Sequence, residues 1–60
     1  MEKDYIGLTV KEAAERARDE GFTFRVVKKD GINFLGTCDL RFDRLNFEIE
    51  NNKITNCYIG

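Results

Sequence analysis

The sequence predicts an α+β fold: one helix packed on a small mixed sheet, with a long exposed loop between two parallel strands and a C-terminal hairpin. Three observations lead there. One segment near the N-terminus carries small apolar residues at helical spacing, and later segments alternate apolar with polar residues. A stretch of 14 residues, Asp30 to Asp43, separates the first strand from the hairpin. A connection that long can carry the chain back to the end where the first strand began, so the flanking strands run parallel; a tight hairpin could not do this.

The helix begins at Thr9. In Thr9-Val10-Lys11-Glu12 the Thr9 hydroxyl can accept the Glu12 N–H while the Glu12 carboxylate reaches back, which is a capping box. Val10, Ala13, Ala14 and Ala17 then fall on one face, and the alanines let the helix lie close to a sheet. Glu12 and Arg16 form a favourable i,i+4 pair. Gly21 ends the helix, giving bounds of Val10 to Glu20.

Phe22 to Lys29 is the first strand, with Phe22, Phe24 and Val26 on one face. Residues 44–50 form the clearest strand: Leu45, Phe47 and Ile49 alternate with Asn46, Glu48 and Glu50, so one face is buried and one is wet. Asn51-Asn52 is a tight turn, since Asn tolerates positive φ. Ile54 to Ile59 returns as the last strand, with Ile49 facing Ile54 and Leu45 facing Tyr58. The intervening loop holds Ile32, Phe34, Leu35, Cys38, Leu40 and Phe42, which is too apolar for a disordered linker. Its plain alternative is a further strand at Ile32 to Leu35. Gly31 and Gly36 supply unusual backbone angles at the two ends of the loop.

Composition narrows the function. The 60 residues make one domain, 1–60, and leave little room for a deep cleft. Charged residues are 35% of the chain but the net charge is only -1, which gives no electrostatic reason to expect nucleic acid or an anionic membrane. No apolar run approaches the roughly 20 residues of a membrane span. The chain has no His, so the usual hydrolase triads are unavailable, and the common zinc sites lack ligands. The expectation is a protein that is not an enzyme and uses no cofactor or metal. Two cysteines, Cys38 and Cys57, are too few for a disulfide framework. Met1-Glu2-Lys3-Asp4 lacks the basic and apolar regions of a signal peptide. Together these predict a cytoplasmic setting, with a processed, secreted domain as the alternative, and the thiols should be unbridged because Cys38 lies on the loop and Cys57 on the last strand.

Residues Gly36-Thr37-Cys38-Asp39-Leu40-Arg41-Phe42-Asp43-Arg44-Leu45-Asn46 carry a resemblance to the potato type I family of serine-protease inhibitors, and Arg44-Leu45-Asn46 is most similar to its small bacterial relatives. Gly7, Val10-Lys11-Glu12-Ala13 and the closing Ile59-Gly60 add to it. The resemblance implies inhibition by substrate mimicry of a subtilisin-like or chymotrypsin-like enzyme. It implies a binding segment of Gly36, Thr37, Cys38, Asp39, Leu40 and Arg41, with Cys38 in the primary specificity pocket and Cys38–Asp39 as the scissile bond. Arg44 would brace the loop through a carbonyl and a carboxylate together. Asn46 takes the place of a second brace with a shorter, uncharged side chain. The family's N-terminal cysteine partner is absent, and Cys at the specificity position suits a medium apolar pocket. The alternative is a non-inhibitory cytosolic binding module, bacterial or phage, that uses the same scaffold to bind a partner protein or itself, because fold does not dictate function.

Overall fold

A computed structural model describes residues 2–34 and 39–60. A 3₁₀ turn, Glu2–Tyr5, leads into helix α1, Val10–Asp19. Strands β1 (Thr23–Lys29), β2 (Ile32–Asn33), β3 (Arg44–Glu50) and β4 (Lys53–Ile59) follow. They form one four-stranded mixed sheet in the order β2-β1-β3-β4. β1 and β3 are parallel, and the two outer pairings are antiparallel.

Local chemistry explains the helix ends. The Thr9 hydroxyl accepts the Glu12 N–H, and the Glu12 carboxylate accepts from the Thr9 N–H at 2.9 Å. The bond from the Thr9 N–H, with one from the Thr9 hydroxyl to the same carboxylate oxygen at 3.0 Å, holds the Glu12 carboxyl below the usual carboxylate range. At the other end Gly21 sits at φ 83°, with Gly21 N–H on the Arg18 carbonyl and Phe22 N–H on that of Ala17. This is the Schellman arrangement, which satisfies carbonyls that the last turn leaves over. Arg16 turns across to the Asp4 carbonyl at 2.9 Å, tying the helix to the N-terminal turn.

The core holds Tyr5, Ala13, Ala17, Leu45, Phe47, Ile49, Ile54 and Cys57. Two members of the expected helix face, Ala13 and Ala17, are fully buried, while Val10 and Ala14 are half-buried. Tyr5 was not foreseen in the core. It is fully buried, its ring lies 5.7 Å from that of Phe47, and its hydroxyl donates to Glu20. Burial and the adjacent carboxylate push its phenol well above the usual range. Phe24, expected inside, is 40% exposed and stacks on Phe47 at 5.4 Å.

Three further expectations are corrected. The segment after β1 opens with a hairpin: Asp30 and Gly31 take φ of 49° and 83°, and Lys29 pairs with Ile32. The further strand is therefore present, but only two residues long. The β3–β4 hairpin turns at Asn51-Asn52, both at positive φ, and Ile49 faces Ile54 as expected. Beyond that the register shifts between Glu48 and Ile49, so Leu45 faces Ile59, not Tyr58. The extra residue on β4 is Thr55; such a bulge exchanges the faces of the residues that follow it. Cys57 is thereby turned into the core opposite Phe47, and Tyr58 is left 41% exposed. Finally Asn46, expected on a wet face, is 1% exposed.

Burial pushes the Cys57 thiol up to about 11 from 9.0, so the folded state favours the protonated form. The stabilisation is fully present below the unfolded value and is lost as pH rises through the folded one. Urea titrations between pH 9 and 11 should therefore show a steeper stability loss for the wild type than for Cys57→Val. Equal slopes would remove Cys57 as the cause. At neutral pH the Cys57 thiol, which is free, should resist alkylation until the protein is unfolded.

Candidate functional site

The face of the sheet away from α1 carries the predicted support residues. Alternation on β3 puts Arg44 and Asn46 on that face, since Leu45 and Phe47 point into the core. The Arg44 side chain is only 13% exposed. Its Nη2 donates to the Asp39 carbonyl at 3.0 Å, and its Nη1 lies 3.5 Å from the Asp39 carboxylate. Its Nε donates to the Gly60 carbonyl at 2.9 Å. One guanidinium thus joins Asp39, on the exposed connection, to the end of β4. The rigid fork of donors is what allows carbonyls and a carboxylate to be held at once.

Asp39, Leu40 and Arg41 are exposed, and so are Phe42 and Asp43. Leu40 is 67% and Phe42 78% exposed, unusual for large apolar side chains so close together. Arg41 is folded back on Asp43 as a two-bond pair, Nε to Oδ1 at 3.1 Å and Nη2 to Oδ2 at 2.9 Å. This pair holds the Asp43 carboxyl below its usual range and raises the Arg41 guanidinium above its own. Both partners are about half exposed, so the pair adds little stability and chiefly orients the Arg41 side chain. The Asp43 carbonyl accepts from the Thr23 N–H at 2.8 Å and the Thr23 hydroxyl at 3.2 Å. These bonds anchor the chain just before β3 to the start of β1. Gly36, Thr37 and Cys38, the other predicted binding residues, lie outside the described residues.

Among the described residues, the Asn46 side chain is bonded to β1 and not to residues 39–43. Its Oδ1 accepts from Arg25 Nε at 2.5 Å, and a Cβ placed on Gly60 would lie 3.0 Å from its Nδ2. Arg25 is its register partner on β1. Sequence reasoning missed Arg25, Thr23 and the role of Gly60. The available signal was an arginine inside Phe24-Arg25-Val26-Val27, an otherwise apolar run.

Elsewhere, an open groove beside α1 is lined mainly by carboxylates, including Asp4, Glu12, Glu15 and Asp19. Among the described residues no cluster of His, Cys, Asp or Glu could hold a metal ion. Nor is any helix among them long and apolar enough to cross a membrane. No family model matches the chain, and neither a curated protein nor a solved structure is significantly similar to it.

Proposed function

We propose that this chain inhibits serine proteases of the subtilisin-like or chymotrypsin-like kind, presenting residues 36–41 as a substrate-like segment. The observation that carries the reading is the Arg44 grip on Asp39, from a strand rooted in the core to an exposed connection. Substrate mimicry needs such a tether. A segment already held extended loses less freedom on binding, and its ends, kept in place by the tether, do not readily leave the cleft once cut. Cys38 fills the primary pocket and Cys38–Asp39 is the bond presented for attack. The role is one of binding, with no catalytic residue, cofactor or nucleic acid. The low cysteine count supports a reducing, cytoplasmic setting.

A panel of such proteases with apolar specificity pockets tests this directly. Cys38→Leu should tighten inhibition about ten-fold, because roughly two more methylenes enter the pocket at about 0.8 kcal/mol each. Cys38→Asp should abolish it by desolvating an unpaired carboxylate. If neither wild type nor Cys38→Leu slows any enzyme, and none cuts at Cys38–Asp39, the inhibitor reading is lost. The second reading is a non-inhibitory binding module. The exposure of Leu40 and Phe42 favours it, since that pair offers apolar contact to a partner that is no protease. Capture of a partner that depends on Leu40 and Phe42, without protease inhibition, would support it.

A further inference from the structure

Arg25 lies midway between the two points at which described residues flanking the connection are bonded to β1. Phe34 N–H bonds the Val27 carbonyl at 2.9 Å, and Asp43 is tied to Thr23 at 2.8 Å. The connection is thus attached to β1 on either side of Arg25. Arg25 pairs in register with Asn46, and Asn46 with Tyr58, so these three residues form one row across the sheet. The next row is Thr23 and Arg44.

The contacts in these two rows adjoin one another, polar at Arg25–Asn46 and at Gly60–Arg44, and steric between Asn46 and Gly60. Arg25 Nε donates to Asn46 Oδ1, and Asn46 Nδ2 packs against Gly60 so closely that a Cβ there would meet it at 3.0 Å. The Gly60 N–H donates to the Arg44 carbonyl at 3.1 Å and the Gly60 carbonyl accepts from Arg44 Nε. Arg44 then holds Asp39. Asn46 is 1% exposed, and no buried side-chain nitrogen or oxygen among the described residues lacks a partner. Without Arg25, the Asn46 amide oxygen would be buried with its donor removed, and the amide would have to turn or shift to recover one. Turning the amide moves the Nδ2 that lies against Gly60.

We propose that Arg25 is a positioning residue for the Asp39–Arg41 segment, acting through the buried Asn46 amide and Gly60 on the Arg44 guanidinium. It deepens the inhibitor reading by adding a strand β1 support to the β3 one. A segment supported from two strands resists being pulled open better than one held by a single arginine, because the arginine itself is fixed in place.

Thermolysin, a metalloprotease that cuts before large apolar residues, provides a test independent of serine-protease inhibition. Its sites in the exposed segment are Asp39–Leu40 and Arg41–Phe42. Under native conditions Arg25→Ala should be cut there about ten-fold faster than wild type. Cutting at core sites such as the Asn46–Phe47 bond should follow only the change in global unfolding. Gly60→Ala, which crowds Asn46 from the other side, should act in the same direction. A merely structural role for Arg25 would raise cutting at all sites in proportion, and that result overturns the proposal. So does a rate in the segment within two-fold of wild type. If Arg25→Ala does not fold, Arg25→Gln, which keeps a neutral donor but not the charged fork, is judged by the same ratio. If wild type inhibits no serine protease while the Arg25 variants open the segment selectively, only the inhibitor reading fails. Inhibition with no selective opening rejects the role of Arg25 alone.

Discussion

Phe47→Ala is expected to cost about 3–5 kcal/mol, the usual range for deleting a buried aromatic. Phe47 is fully buried at the centre of the sheet, between the rings of Tyr5 at 5.7 Å and Phe24 at 5.4 Å. Cys57 faces it from β4 and Val26 from β1. Few neighbours are free to collapse into the space, since Tyr5 is held by Glu20 and both strands are paired. At about 0.05–0.15 kcal/mol per residue, a chain of this length has roughly 3–9 kcal/mol in all. The variant should be largely unfolded at 25 °C, with its far-ultraviolet dichroism lost. Phe42→Ala is the control, because Phe42 is 78% exposed and its loss should change stability by no more than about 0.5 kcal/mol. Similar melting of the two variants would show that Phe47 is not the keystone of the core.

Arg44→Ala should convert the protein from a slowly cut inhibitor into a substrate. The variant loses the bond to the Asp39 carbonyl, the weaker contact with its carboxylate and the bond to Gly60. Hydrogen bonds from a charged donor contribute about 1.5–3 kcal/mol. Asp39 is half exposed, so solvent replaces part of that. Opening of the segment should become roughly 10- to 100-fold more favourable, and cleavage at Cys38–Asp39 by a target protease should accelerate by a similar factor. The fold should persist, because none of the core side chains touches the lost bonds. The informative measurement is the cleavage rate beside the melting temperature. A variant cut no faster than wild type would show that the Arg44 grip does not restrain the segment. One that unfolds would show that Arg44 holds the β3–β4 end together through Gly60. Arg44→Lys should restore little, since an ammonium cannot reproduce the planar fork.

Local patterns were enough to read the regular elements. The Thr9–Glu12 capping box and the Gly21 stop bound the helix through bonds between near neighbours, which sequence spacing encodes directly. Leu45, Phe47 and Ile49 announce β3 by alternation, and the length of the connection makes β1 and β3 parallel. The Asp30-Gly31 turn was equally local, since an Asp-Gly pair is a strong hairpin signal, and it leads into the strand that was the plain alternative for Ile32 to Leu35. The contact of Arg44 with Asp39 was legible because the two lie only five residues apart.

Other features depended on contacts between residues far apart in the chain. The bulge at Thr55 has no sequence mark, yet it decides that Cys57 and not Tyr58 enters the core. Tyr5 lies before every element that periodicity marks, but the 3₁₀ turn folds it onto Phe47 and Glu20. Asn46 looked wet by alternation, since that rule knows only which face a residue occupies and not what lies on it. The buried Asn46 is bonded to Arg25, 21 residues earlier, and lies beside Gly60 after β4. Periodicity is a property of one strand, while burial of a polar side chain belongs to the strands on either side, and only the register between them brings Arg25, Asn46 and Gly60 together.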